Sequence, residues 1–390
     1  MLTHFPLTQS LTEQRQSGRY RSLTSITSGV TPAIEIDGKT YVNFASNDYL
    51  GLATDPYLVD TFKNTVAEIE QVGSGASHLI TGHSVWHDEL ALTLAEVTGY
   101  DKAITFSTGY MANVGVIQAL CGKDSVIFSD KLNHASIVDG ALLVQGLSRA
   151  KVVRFPHRDY AHLEHQLQQT TATQKLIVTD HVFSMDGTFA DLDKLHELAQ
   201  RYECALMVDD AHGFGLPYQA YQNHTNTSKA DIYMGTFGKA IGTSGAFVAS
   251  SHELIEYLIN FSRAFIYTTA LPPILAKVTQ ASVKLTQSDL SRADKLLSNI
   301  KQLSEGLNAQ GWQVGIDDEL PTTAIIPVLI GDNDKAVALA DKLKSAGFWV
   351  SAIRPPTVPV GTARLRFCVS ASHSSEQIEQ LLTIMASLAQ

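Results

Sequence analysis

The chain has 390 residues, of which 44% are hydrophobic and 17% charged, so it is long enough to bury a large core. A net charge of -10 argues against a nucleic-acid backbone or an anionic membrane as the main partner, although a local positive site could bind a small anion. The three cysteines, Cys121, Cys204 and Cys368, lack metal or redox spacing and are predicted to be buried free thiols.

The N-terminal segment, residues 1–48, is predicted to contain a polar helix followed by a β-hairpin. Residues 34–42 alternate around Asp37-Gly38, which is typical of a tight hairpin turn. This segment is expected to pack with a smaller domain at the C-terminal end of the chain. No basic region followed by an apolar run, and no later stretch suited to crossing a bilayer, is found, so a cytoplasmic protein is expected.

Residues 49–285 are predicted to form a large α/β domain, because short apolar runs alternate there with helical patterns. Near-continuous apolar strands separated by helices indicate a mainly parallel sheet covered on both faces. The clearest of these runs are residues 103–106, 125–128, 175–179 and 205–208. Residues 286–390 are predicted to form a smaller α+β domain with a long helix, strands near 324–328 and 365–369, and a closing helix from about Ser375.

Polar residues follow several of the apolar runs, where an open α/β sheet places its ligands. Residues 107–113 form a small-residue turn that opens a helix and could hold a phosphate, although many such turns contain glycine. Asp209 emerges from a buried strand and needs a cationic partner, for which a protonated pyridine nitrogen is suited. The alternatives are a helix cap at Asp210 with Asp209 in a structural ion pair, or a metal pair with His212. Metal is the weaker of these, since no further ligands cluster nearby, and no metal is predicted.

Lys239 stands thirty positions after Asp209, in the string Thr236-Phe237-Gly238-Lys239-Ala240-Ile241-Gly242. Most lysines are surface charges, but the surrounding glycines and hydroxyl residues allow a ligand to approach the backbone closely, which a solvated helix face does not need.

These strings resemble those of the α-oxoamine synthases, enzymes of aspartate-aminotransferase fold that use pyridoxal 5'-phosphate (PLP). The resemblance runs from residues 43–52 to Arg364-Leu365-Arg366. It implies that Lys239 is the Schiff-base lysine, Asp209 the partner of the pyridinium nitrogen, and His134 the residue stacked on the ring. The resemblance also implies that His212 lies near the phenolic oxygen of the cofactor. The other implied cofactor contacts are Gly109, Tyr110, Ser184, Thr236 and Thr268, the last supplied by the second subunit of a homodimer.

The family's reaction is the decarboxylative condensation of an amino acid with an acyl thioester. The resemblance implies that Lys239 is the general base, that Asp209 keeps the ring nitrogen protonated, and that Arg354 anchors the amino-acid carboxylate. For His134, ring stacking alone and an acid-base role both stay open. The remaining implied substrate contacts are Asn47, Thr357 and Arg21, with Arg19 as the alternative to Arg21.

The string at residues 353–366 is most similar to the family members of the biotin pathway, which implies L-alanine and a pimeloyl thioester as substrates, on coenzyme A or a carrier protein. His78 departs from the arginine that many relatives carry, so the loop at residues 73–78 does not separate the members. The alternatives are another α-oxoamine synthase with a different acyl donor, an aminotransferase, or a non-catalytic binding protein.

Overall fold

The computed structural model describes residues 2–17, 19–216, 229–317 and 319–389. The N-terminal part contains a short 3-10 helix, Leu2–His4, then helix α1, Leu7–Gln16, and the antiparallel strands β1, Ala33–Ile36, and β2, Lys39–Asn43. Asp37 and Gly38 connect the strands with φ values of 50° and 72°, the left-handed pair that a two-residue hairpin turn requires. The predicted hairpin is therefore present.

A seven-stranded sheet forms the centre of the molecule, in the order β3-β9-β8-β7-β6-β4-β5. Its strands are β3 Lys102–Phe106, β4 Ser125–Asp130, β5 Lys151–Phe155, β6 Gln174–Asp180, β7 Ala205–Asp209, β8 Ile232–Thr236 and β9 Ala246–Ser250. Strand β9 runs antiparallel to both neighbours, and the other six strands run in one direction. The predicted α/β class with a mainly parallel sheet is confirmed.

Helices cover both faces of this sheet. They are α2 Pro56–Ile69, α3 Val85–Thr98, α4 Gly109–Leu120, α5 Ala135–Ser148, α6 Tyr160–Gln168, α7 Leu192–Arg201, α8 His252–Phe261, α9 Arg263–Ile266 and α10 Pro273–Ser288. Alternate residues of a strand serve opposite faces: Ile127 packs in the core with α4 and α5, whereas Phe128 packs with α6 and α7. Burial on both faces explains why these strands read as continuous apolar runs.

The C-terminal part consists of α11 Ser291–Ala309, β10 Ile325–Gly331, α12 Asn333–Ser345, β11 Phe348–Trp349, β12 Ser351–Ile353, β13 Ala363–Cys368 and α13 Ser375–Leu388. Strands β10, β13 and β12 form an antiparallel sheet, while β11 pairs in parallel with β2 of the N-terminal hairpin. The N-terminal segment is thereby joined to the C-terminal part through backbone hydrogen bonds.

Two arginines of β13 reach the segment that follows β6 in the central domain. Arg364 forms an ion pair with Asp186, and both side chains are almost fully buried. Arg366 donates from Nε to the carbonyl oxygen of Ser184 at 2.6 Å. These contacts bring the C-terminal part against the carboxyl edge of the central sheet. Within the described ranges, no helix has the length and apolarity needed to cross a membrane.

Candidate active site

The carboxyl ends of strands β3, β4, β6, β7 and β8 meet at one edge of the central sheet, and a cavity of about 320 Å³ lies there. The segments after these strands form most of its wall. The predicted site residues that line the cavity are Asn47, Gly109, Tyr110, His134, Ser184, Asp209, His212, Thr236 and Lys239. The fold therefore brings together residues spread over nearly two hundred positions of the sequence.

Lys239 lies in the turn that connects β8 to β9. The turn is held by backbone hydrogen bonds from Phe237 to Gly245 at 2.9 Å, from Thr243 to Phe237 at 2.8 Å, and from Gly242 to Lys239 at 2.9 Å. Gly242 has φ of 71°, and a Cβ there would lie 2.5 Å from the backbone nitrogen of Ala53. Only glycine fits this position, so the turn and the place of the lysine are tightly fixed.

The Lys239 amine is much less basic than an exposed lysine. Burial lowers its pKa from 10.5 to about 8, although the charges of Asp209 and Asp180 act in the opposite direction. The nearby Arg366 guanidinium lowers the pKa further. At a pH near 8, a large fraction of this amine is therefore unprotonated and able to act as a nucleophile or a base.

Asp209 ends strand β7 with its carboxylate buried and doubly hydrogen-bonded. Its Oδ2 accepts from Asn113 Nδ2 at 2.7 Å, and its Oδ1 accepts from the backbone N–H of Ala211 at 2.9 Å. Asp180 is its register partner on β6 and lies beside it in the cavity wall. Burial, and then the charge of Asp209, raise the pKa of Asp180 well above its ordinary value. Protonation of Asp180 is therefore favoured compared with an exposed aspartate.

Two imidazoles in the cavity are held neutral. Burial lowers the pKa of His134, which begins helix α5 and hydrogen-bonds through Nδ1 to the Ser136 hydroxyl at 2.7 Å. Burial, followed by the charge of Lys239, lowers the pKa of His212 well below its ordinary value. The Nδ1 atom of His212 lies 2.7 Å from the hydroxyl of Tyr49.

The N-terminus of α4 lines the cavity and is suited to binding an anion. The Thr108 side chain accepts from the N–H of Met111 at 3.2 Å and caps the helix. The earlier N–H groups, those of Gly109 and Tyr110, have no acceptor within the helix, and the helix dipole adds positive potential there. A Cβ on Gly109 would lie 2.6 Å from a methyl carbon of Thr236, so these two residues pack too closely for a larger side chain.

These features fit pyridoxal phosphate. A buried carboxylate suits its ring nitrogen, a helix N-terminus suits its phosphate, and a weakly basic lysine suits its aldehyde. In the described ranges, no group of three or more histidine, cysteine or acidic side chains is arranged to hold a metal ion. The cysteines Cys121, Cys204 and Cys368 are buried and free.

Four predicted contacts lie outside this cavity wall. Arg21 is exposed in the segment after α1. Thr268 is half-buried after α9, and the carbonyl oxygen of its neighbour Thr269 accepts from the Ser107 hydroxyl. Arg354 is half-buried and Thr357 exposed in the turn after β12, where the N–H of Thr357 donates to the carbonyl oxygen of Arg354 at 3.0 Å. Their roles remain predictions.

Other polar residues of the cavity region carry no role in the sequence-based prediction. Asn113, Ser136 and Asp180 line the cavity, and Arg366 is buried beside it with Nη2 3.4 Å from Asn47 Oδ1. Asp180 follows an apolar run in the same way as Asp209, and that signal could have identified it. Asn113 and Ser136 are helix residues whose sequence neighbours give no comparable indication.

Comparison with known proteins places the chain in a family. The family model for aminotransferase class I and II matches residues 39–385. The chain therefore belongs to the class I and II aminotransferase family.

Two curated relatives indicate the group within that family. Both are named 8-amino-7-oxononanoate synthase and are 45% identical to this chain. The one from Saccharophagus degradans matches over 388 residues, 97% of this chain and 95% of its own. The one from Nitrosomonas eutropha matches over 391 residues, 98% of each chain. The resemblance to the α-oxoamine synthases is confirmed, and the group to which the chain is similar is that of the 8-amino-7-oxononanoate synthases.

Solved structures agree with this placement. A variant of the serine palmitoyltransferase of S. paucimobilis, solved with a bound PLP-myriocin aldimine, has a TM-score of 0.89 at 30% identity, covering 99% of this chain and 98% of that one. The 8-amino-7-oxononanoate synthase of Francisella tularensis has a TM-score of 0.75 at 29% identity, covering 89% and 97%. The predicted fold is confirmed, and the predicted cofactor, PLP, is supported by family and neighbours alike.

Proposed function

We propose that this chain is an 8-amino-7-oxononanoate synthase, which condenses L-alanine with a pimeloyl thioester and releases a thiol and carbon dioxide in biotin synthesis. One observation carries the proposal. A chain 45% identical to such synthases over nearly its whole length brings Lys239, Asp209 and the N-terminus of α4 into one cavity.

The cofactor would be held at three places in this cavity. Lys239 would hold it covalently, Asp209 would bind its ring nitrogen, and the N–H groups at the start of α4, with Thr236, would bind its phosphate. His134 would lie against the ring, and Ser184 and His212 would complete the contacts. When bound, the cofactor supplies an electron sink for the negative charge that develops on the α-carbon of the amino acid.

The proton transfers belong to Lys239. With a pKa of about 8, its Nζ atom can take the proton from the α-carbon of alanine as an amine, and return a proton to that carbon as an ammonium group after carbon dioxide has left. Between these transfers the α-carbon bonds to the thioester carbonyl carbon, the carbon–sulfur bond breaks, and the thiol leaves. Asp209 would bind the ring nitrogen from the cavity wall during both transfers.

Substrate contacts come from residues around the cavity. Asn47 lines it and accepts at Oδ1 from the Tyr49 hydroxyl at 3.1 Å, which fixes its amide for a bound molecule. Arg354 suits the alanine carboxylate because a guanidinium can donate two parallel hydrogen bonds to it. Thr357 and Arg21 would contact the amino acid and the acyl donor.

A turnover assay tests the proposal directly. Purified protein with PLP, alanine and pimeloyl-CoA is expected to release free thiol and carbon dioxide in equal amounts, and Lys239→Ala is expected to release neither. Borohydride reduction followed by peptide mapping is expected to place the cofactor on Lys239. Thiol release with glycine or serine and another acyl thioester, but none with alanine, would refute the assignment.

Another α-oxoamine synthase, such as a glycine C-acetyltransferase or a quorum-signal synthase, is the alternative. The TM-score of 0.89 with a serine palmitoyltransferase keeps acyl donors of other lengths in consideration, whereas the 45% identity favours the pimeloyl donor. Comparing kcat/KM for acetyl, pimeloyl and palmitoyl thioesters separates these possibilities.

We propose a homodimer in the cytoplasm, with Thr268 of each subunit serving the other subunit's cofactor phosphate. Large apolar side chains are exposed in the segments before α3 and after α9 and at the start of α4, as expected of a surface that a second copy covers. They are Leu79, Ile80, Tyr110 and Tyr267, with exposed fractions of 49%, 75%, 46% and 70%. We also propose that the chain divides into the three parts 1–48, 49–285 and 286–390.

Mixing two inactive variants tests the shared site. Lys239→Ala lacks the lysine, and Thr268→Glu would place a negative charge against the phosphate. If the subunits share sites, exchange between equal amounts of the two variants restores one native site in each hybrid dimer, or about a quarter of wild-type activity. No recovery in a sample with demonstrated hybrid dimers would refute a role for Thr268 across the interface.

A further inference from the structure

A continuous hydrogen-bond chain runs through the cavity wall from Asp209 to His134. Asn113 Nδ2 donates to Asp209 Oδ2 at 2.7 Å and to the Ser136 hydroxyl oxygen at 2.8 Å. The Ser136 hydroxyl in turn lies 2.7 Å from His134 Nδ1. Asn113 and Ser136 are fully buried, so water does not compete for these bonds.

The direction of each bond follows from what its atoms can do. A carboxylate oxygen of Asp209 accepts, so the Asn113 amide must present its NH₂ group there. That NH₂ group can only donate to Ser136, which leaves the serine's own hydrogen for His134 Nδ1. The backbone N–H of Ser136 also points to His134 Nδ1, at 3.3 Å, and an N–H has no other role than donation. Nδ1 is therefore an acceptor and carries no hydrogen.

The reverse orientation of the Asn113 amide is excluded by the same reasoning. It would place a carbonyl oxygen against the Asp209 carboxylate and against a serine that would then have to donate away from His134. In the described structure, Asn113 Oδ1 is buried without a hydrogen-bond partner. An unsatisfied buried acceptor costs free energy. The amide nevertheless adopts this orientation, in which Nδ2 donates both of its hydrogen bonds.

We propose that Asn113 and Ser136 are positioning residues that connect Asp209 to His134 and hold His134 as the neutral tautomer with its hydrogen on Nε2. The inference rests on the proposed function, and it restricts any acid-base role of this histidine to Nε2. His134 offers the cavity a single hydrogen-bond donor, Nε2–H, for a substrate carboxylate or the new keto oxygen. It does not serve as a base through Nδ1, because two donors already occupy that atom.

The electrostatic surroundings agree with a neutral ring. Burial lowers the pKa of His134 and outweighs the carboxylates that raise it. The titratable groups that face His134 from the elements around it are Asp209 on β7, Asp180 on β6, Asp139 on α5, Lys239 after β8 and His212 after β7. Removing the Ser136 hydroxyl removes a donor to the unprotonated nitrogen, so the pKa of His134 should rise.

Nitrogen NMR on the full-length holoprotein, labelled with ¹⁵N-histidine, tests the tautomer. The His134 signals are assigned by their loss in His134→Ala. In the wild type, Nδ1 is expected to be unprotonated and Nε2 protonated, without titration around pH 6.5. In Ser136→Ala, the pKa of His134 should be higher than in the wild type, Asn113→Ala should show a smaller rise, and Ser136→Thr should restore the wild-type behaviour.

Turnover provides a second measurement with a matched control. Ser136→Ala is expected to lower kcat/KM by about fivefold to tenfold, the loss that one neutral hydrogen bond produces, while Ser148→Ala on the same helix leaves it unchanged. Failure of the proposed function would appear as no turnover by the wild type and would leave the NMR result intact. A hydrogen on Nδ1 in the wild type, or the same His134 titration in Ser136→Ala as in the wild type, would overturn the inference.

Discussion

Lys239 should make the cofactor-free protein less stable than a variant without the lysine. In the folded chain its pKa is lowered from 10.5 to about 8 by burial, so folding forces the amine to lose a proton or to stay charged in a poor solvent. Methionine has a similar length and no charge. Lys239→Met should therefore unfold at a higher urea concentration than the wild type at neutral pH.

The size of this effect follows from the two pKa values. Below pH 8, the full free-energy cost of burying the Lys239 amine lowers the stability of the wild type. Between pH 8 and 10.5, the unfolded chain binds more protons than the folded chain, so the stability of the wild type rises with pH. The difference between the two proteins is about 3 kcal/mol at pH 7 and about 2 kcal/mol at pH 9. Because solvent that enters the cavity screens the charge of Lys239, the measured stability differences should be about half of these values.

Urea unfolding of cofactor-free protein, followed by circular dichroism at pH 7, 8 and 9, measures the difference. Lys301→Met serves as the control, because the Lys301 side chain is 73% exposed and its replacement should give a small difference that does not change with pH. An Lys239→Met gain of equal size at all three pH values would show that methionine merely packs better. A wild type more stable than Lys239→Met at pH 7 would refute the stated cost of burial.

Three further substitutions test other parts of the site. Gly109→Ala should weaken PLP binding at least about tenfold in a fluorescence titration, because the new Cβ would lie 2.6 Å from a methyl carbon of Thr236. Gly122→Ala is the control, since Gly122 has open space around it and the variant should bind PLP normally. Equal affinities of the two variants for PLP would contradict the anion site. Arg364→Met leaves the buried Asp186 without its cation and should lower the free energy of unfolding by about 3–5 kcal/mol in urea titrations, and a loss below about 1 kcal/mol would mean that the pair contributes little. Arg354→Ala should raise KM for alanine more than about tenfold with a smaller change in kcat, and an unchanged KM would remove this arginine from the carboxylate site.

The sequence predicts the class of the central sheet well but not the direction of one strand. Residues 246–250 are as apolar as the parallel strands, and burial on both faces gives the same pattern for either direction. The direction depends on the connection. A parallel neighbour needs a crossover of a dozen or more residues, and the nine residues between β8 and β9 are too few for one.

The site residues divide in the same way. Asp209 and Lys239 were predictable because each stands in a distinctive string directly after a strand, where the fold places its ligands. Asn113 and Ser136 were not, because their contact depends on how helices α4 and α5 pack against each other over the end of β7. Asp180 ends an apolar run as Asp209 does, so its place at the sheet edge was predictable, but its pairing in register with Asp209 was not.

The reversed strand β9 has a consequence for how the protein takes up its cofactor. Because β8 and β9 form a hairpin, the segment carrying Lys239 is a short turn whose backbone is already fixed by its own hydrogen bonds. Attachment and release of a ligand at Nζ then require only rotations about the four side-chain torsions of one lysine. Cofactor loading therefore needs no rearrangement of the backbone of this turn.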